Sequence, residues 1–362
     1  MSANHITPPL QGPWVEIDLG NLCENFSLIR SAASNSEVAA VVKCNAYGLG
    51  LAKIAQTLAD HAQCKTFFVV YAEEGAALRN ALGSREARIF CFAGQTDQTL
   101  ALFEQAKLIP VLNTLEQAKH WADHCSGREA SLHVDTGMNR IGADIDDLAK
   151  IASLKNLNLK MVMTHLACAS DPSHPLNSAQ REKFIAAATH FPDTTLSLSA
   201  SAGALMGRDY QFDLIRAGIA LYGGAPFDED DTRIKPVASL KAPIVQLRDI
   251  APGDAVGYGA TYIAQKPSVI ATVAAGYGDG YPRNNSPVGI VSINGERAPI
   301  AGRISMDFIT IDVSDLKKRP EPGDSVEFFG PALRIHEAAQ TTNRVSYDLL
   351  TGLGGRVDRR YL

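Results

Sequence analysis

The feature that most constrains the fold is a regular alternation of short apolar runs and amphipathic stretches through the first two thirds of the chain. In the amphipathic stretches, among them 19–29 and 51–58, apolar residues recur with the i, i+3, i+4, i+7 spacing of a helix. The apolar runs have the length of buried strands, and there are eight of them. The predicted strands are 38–42, 67–70, 88–92, 108–112, 131–135, 159–164, 195–199 and 212–215.

Eight strands separated by helices predict a (β/α)₈ barrel of the TIM type. An open, doubly wound sheet is the competing arrangement, because the pattern alone does not show closure. The eight-fold count favours the barrel, which we assign to residues 1–235. After that point the helical spacing largely stops and short β-rich runs are separated by turns, so residues 236–362 are predicted to form a mainly β domain. Asn294-Gly295 between two apolar runs predicts a hairpin there.

Length and composition exclude several classes of function. With 362 residues the chain exceeds what one hydrophobic core usually serves, which agrees with two domains. A formal charge of -5 argues against a nucleic-acid partner. There is no apolar run of about 18 residues, as a membrane span requires, and residues 1–11 lack the pattern of a secretory signal. A cytoplasmic protein is predicted.

The cysteines and histidines give no metal or disulfide signature. The six cysteines are scattered without a CxxC pair, which predicts free thiols. His120 and His124 have the i, i+4 spacing of a helical metal pair. Because acidic residues flank them, we interpret this stretch as a solvated helix face, and no metal site is predicted.

A lysine stands directly after the first predicted barrel strand. Active sites of such barrels lie where the strands end, and desolvation there would lower the pKa of Lys43 and make its amine a nucleophile or a Schiff-base former. A lysine reaching to solvent from the barrel rim is the alternative. Tyr47, with Gly48 and Gly50 beside it, leaves room for a phosphate group.

Further candidate residues follow the later strands. Arg140 comes after a glycine-containing turn and could hold an anion with two hydrogen bonds, or it could be a surface arginine. His165 ends the sixth strand, where a histidine is about as often a core residue as a catalytic one.

The last two strands run into small residues. Ser201 follows strand seven, and Gly218 and Ile219 follow strand eight, where barrels of this type usually bind phosphate. Arg216 adds a cation next to them. The convergence of these residues on one face of the predicted barrel indicates an active site.

Three further motifs lie in the predicted β domain. They centre on Tyr258, on Tyr277 and on Met306. Tyrosines flanked by glycine are common in turns and at strand edges, so amphipathic packing is the alternative for Tyr258.

Taken together, the motifs resemble those of alanine racemases, which are fold-type III enzymes that use pyridoxal 5'-phosphate (PLP). The matching segments are AVVKCNAYGLG, HVDTGMNRIG, IRAGIALYG, VGYGATY, GYGDGYPR and GRISMDF. The resemblance extends from Lys43 to Tyr347, nearly the whole chain. It implies an N-terminal barrel, a C-terminal β domain and a head-to-tail homodimer whose active sites combine one subunit's barrel with the other's β domain. It also implies interconversion of L-alanine and D-alanine.

The resemblance assigns two bases. Lys43 would carry PLP and act on the D-alanine side, and Tyr258 of the partner subunit would act on the L-alanine side. Racemisation removes a proton from one face of the α-carbon and delivers one to the other, so two bases on opposite faces satisfy the chemistry. Both side chains have high reference pKa values and need neighbouring cations to act near neutral pH.

The resemblance also assigns the residues that hold cofactor and substrate. Arg216 would donate to the pyridine nitrogen, with His165 beside the ring. Arg140 would contact the phenolic oxygen of PLP and the substrate carboxylate, which the Met306 backbone N–H would also meet. The residues that would hold the phosphate are Tyr47, Ser201, Gly218, Ile219 and Tyr347.

Three positions depart from the family pattern. His133 stands where many members have a lysine, often carbamylated, that orients the residue matching Arg140. A carbamate cannot form on histidine, so another anion, a water or His133 itself must take that role, and we hypothesise that His133 couples activity to pH. Ser197 replaces a histidine that often backs the arginine, and Ala200 replaces an asparagine.

Two other functions remain open. One is a related racemase that prefers serine, lysine or another amino acid. The other is a PLP-binding homeostasis protein built on a lone barrel, which the β domain with Tyr258 argues against. For an alanine racemase, the sequence is compatible both with supplying D-alanine for peptidoglycan and with degrading alanine.

Overall fold

The chain divides into two compact units. The computed structural model describes residues 12–362. Residues 1–11, on which the prediction of no secretory signal rests, lie outside them. One unit, here called the barrel unit, spans Gly20–Lys235. The other, the β unit, consists of residues 12–19 together with Pro236–Leu362. It includes the first strand, β1 (Trp14–Ile17), although the sequence pattern assigns residues 1–235 to the barrel domain.

The barrel unit contains a sheet of eight parallel strands, which confirms the predicted fold. The strand order is β8-β7-β6-β5-β4-β3-β2-β9. A parallel bridge between Ala200 and Arg216 joins the two ends, with the Arg216 N–H donating to the Ser199 carbonyl oxygen at 2.9 Å. The strands are β2 (Glu37–Val41), β3 (Thr66–Val69), β4 (Arg88–Cys91), β5 (Ile109–Leu112), β6 (Glu129–His133), β7 (Asn158–Met163), β8 (Thr195–Ser197) and β9 (Leu214–Ala217).

Helices connect these strands, as the apolar spacing predicts. Strands such as β3 and β5 are buried at every residue, as expected where helices cover a parallel sheet. The helices are α1 (Leu19–Ala32), α2 (Lys43–Tyr47), α3 (Leu51–His61), α4 (Ala72–Leu82), α5 (Leu100–Gln105), α6 (Leu115–His124), α7 (Leu148–Ala152), α8 (Pro175–Ala188) and α9 (Ser201–Leu205).

The β unit is built mainly on one sheet, and it is mainly β as predicted. The sheet has the order β15-β14-β17-β10-β1-β18, and β13 joins β10 to β16. Its strands besides β1 are β10 (Ala238–Ile250), β13 (Ser268–Val273), β14 (Ile290–Ile293), β15 (Glu296–Pro299), β16 (Ile309–Asp312), β17 (Ser325–Phe329) and β18 (Asp358–Tyr361), with β11 (Ala255–Val256) and β12 (Tyr262–Ile263) forming a separate pair. Two helices, α10 (Ile335–Gln340) and α11 (Ser346–Thr351), complete it.

The predicted hairpin at Asn294-Gly295 is confirmed. Ile293 pairs with Glu296 across a two-residue turn, and both turn residues have positive φ, 52° at Asn294 and 84° at Gly295. That is the geometry in which the turn twist matches the twist of the strands.

Within residues 12–362, none of the cysteines forms a disulfide, and the two paired histidines contact other protein groups. All six cysteines are free. His120 Nε2 lies 2.5 Å from Asp97 Oδ1, and His124 Nδ1 lies 2.9 Å from the His120 carbonyl oxygen. Within the same residues, no helix has both the length and the apolar character that crossing a membrane requires.

Candidate active site at the carboxyl ends of the barrel strands

Lys43 lies where β2 ends, as predicted. Burial lowers the pKa of its amine, and the charge of Arg140 lowers it further, while Cys44 and Glu74 oppose the change. The ammonium nitrogen lies 6.0 Å from the centre of the Phe92 ring. A lower pKa increases the unprotonated fraction of the amine at any given pH, and it is the unprotonated amine that acts as a nucleophile or as a base.

The segment after Lys43 is a left-handed turn. Its four residues, from Cys44 to Tyr47, have φ values of 53°, 55°, 51° and 55°, although none is a glycine. Left-handed backbone costs about 1–2 kcal/mol for each non-glycine residue. Such strain persists only where surrounding contacts enforce it, and it concentrates at functional sites. The turn places Lys43 at its start and Tyr47 at its end.

Tyr47, Ser201 and Gly218 form a cradle of hydroxyl and backbone donors. A Cβ on Gly218 would lie 2.6 Å from the Tyr47 hydroxyl oxygen, so only glycine leaves this approach open. Ser201 Oγ accepts from the Gly218 N–H at 2.9 Å. Ile219 begins a short 3₁₀ helix at the same place. Such clusters of hydroxyls and N–H groups bind phosphate in barrels.

Tyr47 is fixed by its own packing. Its ring is buried and stacks on that of Tyr222 with 4.5 Å between ring centres. The Tyr222 hydroxyl donates to the Val41 carbonyl oxygen at 2.7 Å. The tyrosine end of the turn is therefore anchored to the end of β2 independently of Lys43.

Arg216 is buried inside the barrel and held by several acceptors. Its Nη1 donates to the carbonyl oxygen (2.9 Å) and the hydroxyl (2.5 Å) of Ser197, and its Nη2 donates to the Thr164 carbonyl oxygen (2.6 Å). Ser197, one of the departures from the family pattern, is thus itself a partner of the arginine. Burial lowers the pKa of Arg216 to about 9, and these polar contacts hold the planar group in one orientation.

His165 is kept neutral. Its Nδ1 lies 3.3 Å from Arg216 Nη2 and accepts from it, which places the ring proton on Nε2. Burial, reinforced by the nearby arginines, His133 and Lys43, holds the pKa of His165 well below its usual value. The Gln180 Nε2 group donates to the His165 carbonyl oxygen at 2.9 Å, so a buried helix residue fixes the backbone at this position.

Arg140 belongs to a loop ordered by Asp135 and Thr136. Asp135 Oδ1 accepts from the N–H groups of Gly137 (2.8 Å) and Met138 (2.9 Å). The Thr136 hydroxyl lies 2.8 Å from that of Thr164 and also accepts from Gln180 at 3.2 Å. The loop after β6 is therefore tied to the loop after β7, and the charge of Arg140 acts on Lys43, His133 and His165.

Asn113 determines the state of His133. The Asn113 Nδ2 group donates to the carbonyl oxygens of Phe92 (2.8 Å) and Val111 (2.9 Å), so its Oδ1 is the atom that faces His133 Nδ1 at 3.1 Å. His133 therefore has its proton on Nδ1. Burial, aided by Arg216 and Arg140 and opposed by Asp135, lowers the pKa of His133 to about 4. His133 is thus a hydrogen-bonded neutral imidazole near neutral pH.

His133 makes the stability of the folded chain depend on pH in the acid range rather than near neutrality. A free histidine has a pKa of about 6.5, so between pH 6.5 and 4 the unfolded chain binds a proton that the folded chain does not. Stability contributed by the neutral ring is complete above pH 6.5 and is lost as pH falls. We expect the unfolding free energy of the wild type to fall by about 3 kcal/mol more than that of His133→Gln between pH 7 and pH 4. Denaturant titrations of both proteins would measure this; equal losses would contradict it.

The three motifs of the β unit, around Tyr258, Tyr277 and Met306, contact one another. The N–H groups of Tyr277 and Gly278 donate to the carbonyl oxygens of Ser305 (3.1 Å) and Met306 (2.9 Å). A Cβ on Gly276 would lie 2.2 Å from the Met306 carbonyl oxygen, and one on Gly302 would lie 2.6 Å from the Val256 carbonyl oxygen. The segments 256–262, 276–283 and 302–308 therefore form one surface.

The predicted site residues of the β unit are exposed. Tyr258 is 71% exposed on a 3₁₀ turn between Gly257 and Gly259, both with positive φ. Met306 and Tyr347 are 53% and 43% exposed.

Sequence reasoning missed three polar residues of the barrel site. Glu74, Asn113 and Gln180 hold backbone or side chains next to Lys43, His133 and His165 respectively. Each lies 15 to 31 residues from its partner in the chain. No motif signals such pairings; Asn113 and Gln180 are polar residues at buried positions, and Glu74 gives not even that signal.

Comparisons with known proteins identify the family of the chain. The family model for the alanine racemase N-terminal domain matches residues 17–226, and that for the C-terminal domain matches residues 237–361. The chain is 41% identical over 355 residues to the catabolic alanine racemase of Agrobacterium fabrum, covering 96% of this chain and 91% of that protein. It is 39% identical over 366 residues to the biosynthetic alanine racemase of the same organism, covering 96% and 93%.

Solved structures give the same result. The crystal structure of alanine racemase from Bartonella henselae, with covalently bound pyridoxal phosphate, superposes with a TM-score of 0.92 at 36% identity. The match covers 97% of this chain and 99% of that one. Biosynthetic alanine racemase from Pseudomonas aeruginosa superposes with a TM-score of 0.90 at 34% identity, covering 98% and 100%. With both domains matched over nearly their whole length, the chain belongs to the alanine racemase family.

Proposed function

We propose that this protein interconverts L-alanine and D-alanine with pyridoxal 5'-phosphate as its cofactor and with two bases, Lys43 and Tyr258 of the partner subunit. The observation that carries the proposal is the partly buried amine of Lys43, with its lowered pKa, at the end of a barrel strand whose neighbouring loops form a cradle suited to phosphate. Membership of the alanine racemase family agrees with it.

The residues of the barrel site fit this cofactor. Gly218 keeps open the approach to the Tyr47 hydroxyl that a Cβ would fill. The hydroxyls of Tyr47 and Ser201, the Ile219 N–H and the side-chain-free backbone of Gly218 would hold the phosphate, together with Tyr347. Arg216 would face the pyridine nitrogen, with His165 beside the ring. When bound, the cofactor supplies an electron sink that acidifies the α-proton of the amino acid.

Arg216 and Arg140 would place positive charge at two different parts of the cofactor. Arg216 is held by Ser197 and Thr164, and a fixed cation at the pyridine nitrogen opposes protonation of that atom. We assign Arg140 to the phenolic oxygen and the substrate carboxylate, where an arginine can donate two parallel hydrogen bonds. The backbone N–H of Met306 would donate to the same carboxylate.

Lys43 and Tyr258 would move the protons. Lys43 would take the proton from D-alanine and return one to form it, a role that the lowered pKa of its amine favours. Tyr258 would do the same on the L-alanine side. Its exposure on a glycine-flanked turn leaves the hydroxyl accessible to a second subunit.

A head-to-tail homodimer would bring these bases together. The β unit exposes Tyr258, Met306 and Phe308, which are 71%, 53% and 48% exposed on the surface formed by its three motifs. Large apolar side chains clustered on a surface commonly mark an interface. In the dimer, this surface would complete the partner's barrel site.

The cellular setting is a further part of the proposal. Six free thiols are typical of a reducing compartment, and we place the protein in the cytoplasm. Both the catabolic and the biosynthetic relative match to nearly the same extent. Degradation of alanine and supply of D-alanine for peptidoglycan are therefore both compatible physiological roles.

Exchange of the α-proton in deuterated water would test the function. The protein with PLP would be incubated with a panel of L-amino acids and the products separated by chirality. We expect deuterated D-alanine to dominate over D-serine and D-lysine. Exchange on another amino acid would retain the chemistry and change the substrate, and bound PLP without any exchange would refute the racemase.

A further inference from the structure

Glu74 connects the end of one barrel strand to the strained turn that follows another. It is the third residue of α4, directly after β3 and the connecting residues Val70 and Tyr71. Its Oε1 accepts from the Cys44 N–H at 2.7 Å, and its Oε2 accepts from the Val70 N–H at 2.8 Å and the Tyr71 N–H at 3.3 Å. One carboxylate thus joins two βα loops across 30 residues of sequence.

The bond to Cys44 has a specific geometric role. Cys44 is the first left-handed residue after Lys43, so its N–H marks the point where the backbone leaves β2 and reverses its hand. Within the turn, the N–H of Ala46 donates to the Val42 carbonyl oxygen and that of Gly48 to the Cys44 carbonyl oxygen. These bonds close the turn on itself, whereas the bond to Glu74 ties it to a neighbouring element.

The far end of the turn is held by other groups. Asn45 Oδ1 accepts from the Leu51 N–H at 2.8 Å, and the Tyr47 ring is stacked on Tyr222. Loss of Glu74 would therefore release chiefly the lysine end of the turn. This separation makes its effect on Lys43 measurable.

We propose that Glu74 is the positioning residue for Lys43, because its carboxylate holds the left-handed turn that fixes the lysine at the barrel mouth. The inference rests on the proposed function, in which Lys43 carries the cofactor. The negative charge of Glu74 also opposes the effect of Arg140 on the Lys43 amine. Hydrogen bonds to a charged acceptor are the strong ones, so one carboxylate is a suitable anchor for a strained backbone.

The matched control is the neighbouring residue. Glu73 has the same charge and lies in the same first turn of α4, but its side chain is exposed. Glu73→Ala and Glu74→Ala therefore remove equal charge from the same helix end. Only the second variant removes the acceptor of the Cys44 N–H.

Hydrogen exchange of the cofactor-free, full-length chain tests the anchor itself. We expect the peptide covering residues 43–50 to exchange about tenfold faster in Glu74→Ala than in the wild type, and Glu73→Ala to match the wild type. Equal exchange in both variants would overturn the proposal. Should Glu74→Ala fail to fold, Glu74→Gln, which keeps the shape but loses acceptor capacity, must show the same pattern more weakly.

A double-mutant cycle tests whether Glu74 acts through Lys43. The dissociation constant of PLP is expected to rise about tenfold with Glu74→Ala when Lys43 is present, and to change less than about twofold in the Lys43→Ala background. An equal rise in both backgrounds would show a general effect on the fold and would overturn the proposal. If the wild type does not bind PLP, the proposed function fails, and the exchange experiment still decides the role of Glu74.

Discussion

Replacing Lys43 with alanine is expected to abolish racemisation in both directions, with a loss of at least about 10⁴-fold in kcat. The substitution removes the amine that would attach the cofactor and the base on the D-alanine side together. The cofactor would remain only through the phosphate donors and Arg216, so its absorbance should be that of unattached PLP. Absorbance spectra and chiral product analysis would measure both effects.

Two comparisons make this result specific. Lys53→Ala removes an exposed lysine of α3 from the same unit and should leave spectrum and activity unchanged. Adding a small primary amine to the Lys43→Ala protein should restore part of the proton transfer, because the missing group is an amine in a site that stays folded. Attached cofactor in Lys43→Ala would refute the role of this lysine.

The barrel could be predicted from sequence because its signal is local. Each apolar run lies within a few residues of an observed strand; the run 88–92, for example, contains β4. The hairpin at Asn294-Gly295 is likewise specified by its own two residues, since both must adopt positive φ. Where a fold is determined by spacing within about ten residues, the sequence is sufficient.

Long-range pairings are what the sequence does not reveal. Trp14 pairs with Lys241 of β10, so β1 belongs to the β unit although it precedes the whole barrel. The left-handed turn from Cys44 to Tyr47 contains no glycine, and its conformation depends on partners elsewhere in the chain, Glu74 among them. A pattern within about ten residues cannot show which distant residues will pair.

Whether His133 can couple activity to pH depends on the surroundings of its ring, which the sequence does not show. Sequence gives a histidine with an ordinary pKa near neutrality, but burial beside two arginines lowers the pKa of His133 to about 4. Asn113, whose amide donors are both occupied by carbonyl groups, then fixes the tautomer. The ring is therefore a neutral hydrogen-bonding group at working pH, and its titration belongs to acid denaturation.

Tyr258→Phe is expected to retain the cofactor and to slow the removal of the α-proton from L-alanine by about 10² to 10⁴-fold. The ring keeps its shape and the barrel donors are unchanged, so PLP affinity and spectrum should match the wild type. Lys43 would still remove the proton from D-alanine and return a deuteron to the same face. D-alanine should therefore exchange its α-proton in deuterated water without racemising.

The difference between the two enantiomers in this variant appears only in the exchange of the α-proton. L-alanine and D-alanine are mirror images, so the equilibrium constant of racemisation is one. Net racemisation must consequently lose the same factor of kcat/KM in both directions, whichever base is removed. Tyr361→Phe, which deletes another partly exposed hydroxyl of the β unit, serves as the control. Equal loss of exchange from both enantiomers, or loss of PLP, would place Tyr258 in cofactor binding rather than proton transfer. Retained exchange from D-alanine alone would establish that the two faces are served by two different groups.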